Sequence, residues 1–590
     1  MALSDFGSIL VKRYQSELLS ILSQFDAPMD LVLEKELSSF IDQISPIQFL
    51  KSHGVEKIFY LEPEMNVGSD KRVYLIRPIG SNINKICRHV NYDLDQNINR
   101  NYLIIFVPFK TILCEELIES YALLDFVELH EWHIELIPLD SDLLSLESSH
   151  SLKNYLINEC SSMPRLVAST LYTLFQVNIS NQFHLHLLGE QADKVFQVFN
   201  YLKSMPLANK PIVNRCYFTD VILVDRNIDL ITPLLTQISY EGLLDDIFGV
   251  QHGSVNLTEK VTGKSKPTKL MLNSNDPTYS QVRGYHISFL FSFIKDQSKK
   301  LIYKYDKGRK QTSISEMKSF VSELKTLKPM EQSLVVHLCA CEFLKDVRST
   351  PINQKLLSLE HALLSREQLD EKALVKFFES LLSFQVSWKD ILRLLCLYSL
   401  LNPAPTKERI KILNHIEKQF IRAHGCGHIN TILNLQELGL LNPQDEYVHM
   451  CQMGIKKLGL IPKVHKTDSV DLSNPIDTSF VFGGAYKPLS CTIIENFLKQ
   501  GNWKLGSELL ASIKFRITTN LISKSKCLAP EKSGKMAHKQ YLVFFLGGCS
   551  YSEVNAIRFL GNQLGIEIGI ATTSILNRDS IFQSLDDYIV

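Results

Sequence analysis

The stretch LVDRNIDLITPLLTQISYEGLLDDIFGV, residues 223–250, decides how this chain is read. An apolar strand ends in Asp225-Arg226, Asp229 follows closely, and Thr232-Pro233 then open a helical run. Open α/β sheets place catalytic groups at the carboxyl ends of their strands, so a hydrolase using Asp225 and Asp229 is one reading. The spacing argues against it. The acids stand as Asp-x-x-x-Asp, and Arg226 lies between them, placed to neutralise a carboxylate. Thr232 suits an N-cap and Pro233 the first helical turn. The favoured reading is structural: an ion-paired strand exit followed by a capped helix.

Upstream, strand runs alternate with helical patterns. KIFYLEP (57–63), RVYLIRP (72–78), YLIIFVP (102–108) and WHIELIPLD (132–140) read as strands, three of them ending at a proline that cannot continue a ladder. Leu18, Leu22 and Phe25 share a helical face. Residues 140–151 read as a polar linker. A second α/β stretch holds strands at 183–190 and 220–226, and residues 256–280 are polar and turn-rich. From about 281 to 460 the pattern is helical. Met317, Phe320, Val321 and Leu324 fall on one face, as do Leu334, Leu338, Cys341 and Leu344. After a polar stretch at 463–479, strands return at 541–548 and 567–573. Two late strands are too few for a sheet of their own, so they are expected to complete the sheet begun near 183–226. The expected domains are 1–145, then 150–255 joined to 480–590, with 256–479 as a helical insertion.

Composition excludes several classes. With 63 basic and 63 acidic residues, the chain has no excess charge to draw it to nucleic acid or to an anionic membrane surface. No apolar run has the ~20 residues of a membrane span, and the start shows no secretory pattern. Twelve scattered cysteines then read as reduced thiols in a cytoplasmic protein. GNWKLGS (501–507) lacks the phosphate-reaching lysine of a P-loop. HGCGH (424–428) could present His424, Cys426 and His428 to zinc, but its glycines suit a helix end better. No cofactor, metal or catalytic residue is expected.

Residues 225–243, with Asp225-Arg226-Asn227, Asp229, Thr232-Pro233 and Tyr240-Glu241-Gly242-Leu243, resemble the signature of the SM family, which binds SNAREs in membrane fusion. VFGGAYKPLSCTIIE (481–495) resembles a second family segment through Gly483, Gly484, Pro488 and Leu489. FFLGGCSYSEVNAIRFL (544–560) resembles a third through Gly547, Gly548, Ser550 and Glu553. The similarity is greatest to the vacuolar-protein-sorting branch, a subunit of the HOPS and CORVET tethers. Within that branch, Thr232-Pro233-Leu234 and Thr236-Gln237 lean toward the HOPS/CORVET form of its two animal paralogues.

The resemblance implies an arch of two parallel-sheet α/β domains with a large helical domain inserted into the second. It implies no enzymatic activity. A hairpin within 285–370 would template syntaxin-like and R-type SNAREs of the endolysosomal system. A helical-solenoid HOPS/CORVET subunit would dock on 370–470. The protein would be recruited peripherally to late endosomes, lysosomes or the vacuole. Pro329 resembles a family proline near the hairpin tip that controls helix extension; an ordinary helix start at Pro329 is the alternative. A purely structural tether subunit is the remaining competitor.

Overall fold

In a computed structural model of the chain, the described residues are 6–25, 28–64, 68–148, 152–153, 157, 162–177, 182–205, 218–263, 265, 267–309, 314–365, 371–384, 386–401, 406–442, 445–462, 475–511, 516–523 and 540–585. They form two compact units, one built on Met1–Leu146 and the other on Glu147–Val213 and Tyr217–Val590.

In the first unit, strands β1 (Met29–Leu33), β2 (Val55–Tyr60), β3 (Lys71–Ile76), β4 (Asn101–Phe106) and β5 (Val127–Glu131) make an all-parallel sheet in the order β2-β1-β3-β4-β5. β3 and β4 are buried along nearly their whole length, which is why their sequences are continuous apolar runs. β2, β3 and β4 stop just before Pro63, Pro78 and Pro108. Two expectations need correction. The strand expected at 132–140 is replaced by β5 at 127–131 and a two-residue β6 (Ile137–Pro138). Within the expected linker 140–151, β7 (Leu143–Ser145) pairs antiparallel with β6 and is wholly buried. Polar flanks hid the Leu143-Leu144 pair that burial selects.

The second unit carries a mixed sheet with the strand order β12-β8-β9-β13-β14. Here β8 is Gln182–Leu188, β9 Asp220–Asp225, β12 Ile517–Ser523, β13 Gln540–Leu546 and β14 Glu567–Thr572. β8, β9, β13 and β14 run parallel, whereas edge strand β12 is antiparallel to β8. The late strands thus complete the sheet begun by β8 and β9. β12 was unforeseen because its Thr-Thr-Asn centre lacks an apolar run and Leu521 is exposed at the edge. In the turn-rich stretch 256–280, β10 (Ser254–Leu257) and β11 (Thr268–Met271) form an antiparallel ribbon, also unforeseen.

Helices of this unit lie between these strands in sequence and after β14. Those used below are α1 (Glu190–Ser204), α2 (Tyr240–Phe248), α3 (Ile287–Arg309), α4 (Ile314–Arg348), α5 (Trp388–Leu401), α6 (Leu489–Gln500), α7 (Tyr551–Leu564) and α8 (Arg578–Leu585). α3 and α4 pack as an antiparallel hairpin: the Tyr305 hydroxyl donates to Glu331 Oε2 at 3.0 Å, and Lys345 lies over the Phe291 ring at 5.4 Å. Leu334, Cys341 and Leu344 are buried on its inner face with Tyr240, Leu243 and Leu244 of α2. The side chains of Met317, Phe320 and Val321 lie outside the described ones. Pro329 is exposed and sits inside α4, which begins at Ile314, so it is not a helix start.

Candidate functional site

The signature segment leaves β9 and enters a fully buried polar network. The Asp225 side chain is inaccessible, and its oxygens accept from Gln191 N at the start of α1 (3.1 Å) and from Asn227 N (3.2 Å). Burial pushes its pKa up to about 6. Arg226 does not pair with either neighbouring acid. Its Nη1 donates to Glu553 Oε2 at 2.8 Å and its Nη2 to Glu553 Oε1 at 2.9 Å, a bidentate pair between side chains 1% and 0% exposed. Nη1 also donates to the Gly548 carbonyl at 3.2 Å. Glu553 meanwhile completes a capping box with Ser550 at the start of α7 and accepts from Ser490 Oγ at 2.7 Å.

Asp229 holds the next turn. It accepts from Thr232 N (3.0 Å), Thr232 Oγ1 (2.6 Å) and Ser490 N in the first turn of α6 (3.1 Å). Thr232 is therefore a donor to Asp229 rather than the expected N-cap, and Pro233 lies in a three-residue 3-10 turn, Thr232–Leu234. The helix proper, α2, begins at Tyr240 with Ser239 as its cap. The Tyr240 hydroxyl lies 2.7 Å from His337 Nδ1 in α4, and Glu241 accepts from Tyr279 (2.5 Å) and from Arg558 of α7 (3.0 Å).

The glycines of the later segments serve the same lock. Gly548 has φ +105°, and a Cβ there would fall 2.5 Å from Leu576 Cγ. Gly483, at φ +64°, would bring a Cβ to 2.8 Å from Ile238 Cδ1; Gly484 and Gly547 also have positive φ. Pro488 immediately precedes α6. Sequence reasoning missed Glu360 and Arg393. Glu360 accepts from Thr236 N and Oγ1 at 2.8 and 2.7 Å and from Arg393 Nη1 at 2.6 Å, all buried. The available signal was a lone charge in each of two otherwise apolar helical runs, LLSLEHALL and ILRLLCLYSLL. His424 and His428 pack with each other and with Phe420, and His428 also on Trp388, as aromatic rings at a helix end.

The oxygens of Asp225 and Asp229 are engaged by donors of their own chain, and both side chains are buried. Breaking one half of a buried pair strands the other charge. Arg226→Ala is expected to destabilise the second unit by roughly 3–5 kcal/mol, read as a drop in the denaturation midpoint; an unchanged midpoint would refute the lock.

Asp245 in α2 gives a pH signature. Its Oδ1 accepts from Val250 N (3.0 Å) and Asn577 Nδ2 (2.9 Å), while Oδ2 is buried without a partner. Burial above all, with the charges of Asp246 and Glu147, pushes its pKa to about 7 against those hydrogen bonds. An unfolded aspartate titrates near ~3.9. Between the two values the folded state holds a proton that the unfolded state has released, so this residue's contribution is fully present below about 4 and is lost as pH rises through about 7. Asp245→Asn should raise the melting midpoint relative to wild type at pH 8 and leave it little changed at pH 4. A difference independent of pH would exclude the assignment.

The sequence model of the Sec1 family matches residues 29–584. The chain is 32% identical to vacuolar protein sorting-associated protein 33B of Danio rerio, over 99% of its own length and 98% of that protein's. It is 30% identical to the 33B protein of Homo sapiens (99% and 98%) and 29% identical to vacuolar protein sorting-associated protein 33A of Rattus norvegicus (98% and 97%). Thr236 and Gln237, on which the lean to one paralogue partly rests, are buried in contacts with Glu360, Asp246 and Ser552. Among solved structures, the SM protein Vps45 in complex with the Qa SNARE Tlg2 superposes with TM-score 0.64 at 16% identity, covering 100% of this chain and 98% of that one. Sly1p in complex with an N-terminal peptide of Sed5p gives 0.62 at 14%, covering 99% and 98%. The signature lock, the mixed sheet with its helical block, and a sequence match across nearly the whole chain together place this protein in the Sec1 (SM) family.

Proposed function

We propose that the protein is a SNARE-binding SM subunit of an endolysosomal or vacuolar tethering complex, and that it acts by templating SNARE helices rather than by catalysis. The observation that carries this reading is the full-length relation to vacuolar protein sorting-associated 33 proteins. SNARE segments are disordered before assembly and lose conformational entropy when they zip into a bundle. A rigid helical surface that holds two of them in register lowers that cost and rejects wrong pairs. The α3–α4 hairpin supplies such a surface. Its inner face is fixed in the core, while Ile302 and Tyr303 of α3 project with 59% and 69% of their surface exposed.

In this reading the helical block 256–479 works as a domain inserted between 150–255 and 480–590. The hairpin takes syntaxin-like and R-type SNAREs. The outer helices, 370–470, take a helical-solenoid subunit of HOPS or CORVET, which brings the protein to late endosomes, lysosomes or the vacuole from the cytoplasm. No helix among the described residues is long and apolar enough to cross a membrane, in keeping with peripheral recruitment. Nucleic acid has no part in this function.

Pro329 tunes the template. Proline offers no N–H to the Lys325 carbonyl and crowds it, so the helix is weakest at the turn between the buried Leu327 and Leu334.

Purified chain titrated with isolated Qa- and R-type endolysosomal SNARE segments should show saturable binding at micromolar Kd, weakened about tenfold or more by Tyr303→Asp, equivalent to ~1.4 kcal/mol. No saturable binding by folded protein would favour a purely structural subunit and sink the templating proposal. Pro329→Ala should restore the missing hydrogen bond, stabilise α4 by up to ~3 kcal/mol, slow amide exchange N-terminal to residue 329 and tighten SNARE binding. Slower exchange with unchanged binding would rule out a switch.

A further inference from the structure

The charge of the whole chain balances, but the hairpin departs from that balance locally. The stretch KDQSKKLIYKYDKGRK, residues 295–310, carries seven basic and two acidic residues. Its side chains up to Asp306 are described, and they belong to α3, whose Leu290, Ile294 and Leu301 are buried in the hairpin core. At 3.6 residues per turn the opposite side carries Lys295, Lys299, Ile302 and Tyr303, spaced i, i+4, i+7 and i+8, and Lys300 and Lys304 border Tyr303. All four lysines are exposed, as are Ile302 and Tyr303.

None of the four lysines makes a hydrogen bond or ion pair with a described residue, and neither do Asp296 and Asp306 on the same helix. On α4, Glu331 accepts from the Tyr305 hydroxyl. The helix rises about 14 Å from Lys295 to Lys304. Successive lysines on it are closer than the ~8 Å over which physiological salt screens a charge, so they act as one field. Like charges on neighbouring turns destabilise a helix slightly, and a partner of opposite sign would relieve that cost.

We propose that this face of α3 docks on a membrane surface of anionic headgroups, with the lysines held by the surface potential and Ile302 and Tyr303 lying at headgroup depth. Three features select lipid. The lysines spread over about half the helix circumference, wider than the ~100° stripe that one partner helix covers. Each is a point charge on a flexible stem, suited to a diffuse layer of charge rather than to one fixed carboxylate. Tyr303, an apolar ring with a polar tip, is of the kind that sits at the boundary between lipid and water. Short basic helix faces of this composition bind anionic leaflets without spanning them. The contact goes beyond SNARE templating and does not depend on it.

The test sediments the full chain with phosphatidylcholine vesicles and with phosphatidylcholine–phosphatidylserine vesicles. The anionic vesicles alone should carry the protein down, and less of it as salt rises. Lys299→Glu combined with Lys300→Glu should lower the partition about tenfold or more. Both side chains are exposed and unpaired, so the melting midpoint should stay where it is. Lys299→Arg with Lys300→Arg keeps the charge and should keep the binding. Isolated SNARE segments are titrated against the same variants. Vesicle binding without SNARE binding upholds the lipid face and sinks the templating reading alone. Absence of anionic-vesicle binding by folded protein, or equal binding by wild type and the double glutamate variant, overturns the face. So does a loss confined to SNARE binding in that variant, which would assign the lysines to an acidic helix.

Discussion

The bidentate pair between Arg226 and Glu553 is the contact on which the second unit turns. Its partners are 327 residues apart in sequence, and closing a loop of that length costs about 5 kcal/mol by the logarithmic chain-entropy rule. One ion pair does not meet that cost, because desolvation consumes most of its Coulombic gain. The closing energy comes from apolar burial along β9 and β13, which lie in parallel register from Asp220–Tyr541 to Asp225–Leu546 and are buried throughout. The pair contributes discrimination. A guanidinium at the exit of β9 has matched acceptors only when the first turn of α7 arrives in one register, with Ser490 of α6 filling the remaining position on Glu553. A slipped strand would leave a buried charge alone.

The same device holds the helical block. Thr236 meets Glu360 and, through it, Arg393; Tyr240 meets His337. Each tie runs from the signature segment to a helix at least 97 residues away. The segment that makes the family recognisable is thus the one least able to touch a partner, since Asp225, Arg226, Asp229, Thr232, Tyr240 and Glu241 are all at most 2% exposed. It preserves an architecture. The surface that would meet another protein is carried by residues such as Ile302 and Tyr303, which no motif marks.

That division explains what the sequence could reveal. Fully buried strands write themselves as apolar runs, so β3, β4, β9 and β13 are legible, and the closing of one sheet across the helical block follows from strand counting. β12 is largely exposed and β10 and β11 are only four residues each, and their alternation is lost among Thr, Asn and Lys. The carboxylate partner of Arg226 is invisible locally, because two acids stand within three residues of it and the true partner lies in another motif. Asp225 was diverted to backbone N–H groups by the turn at Asn227 and the start of α1. Thr232 looked like an N-cap because Thr-Pro opens helices, yet Asp229 took its hydroxyl and left capping to Ser239.

Pro329 brings these threads to the hairpin. A mid-helix proline costs about 3 kcal/mol, and a helix whose every turn were needed by the core would not carry one. In α4 the turns after Pro329 place Leu334, Cys341 and Leu344 in the core and set His337 against Tyr240 and Asp276. The cross-contacts from Tyr305 to Glu331 and from Phe291 to Lys345 fix the register with α3 along this same part. The proline therefore divides a helix whose carboxyl-terminal part is pinned by the signature lock from a part that begins at Ile314 and precedes those ties. The polar ties of the lock lie on the carboxyl side of the proline, and before it Leu327 is the described side chain of α4 that is buried in the core, so the two parts of the helix are held by different contacts.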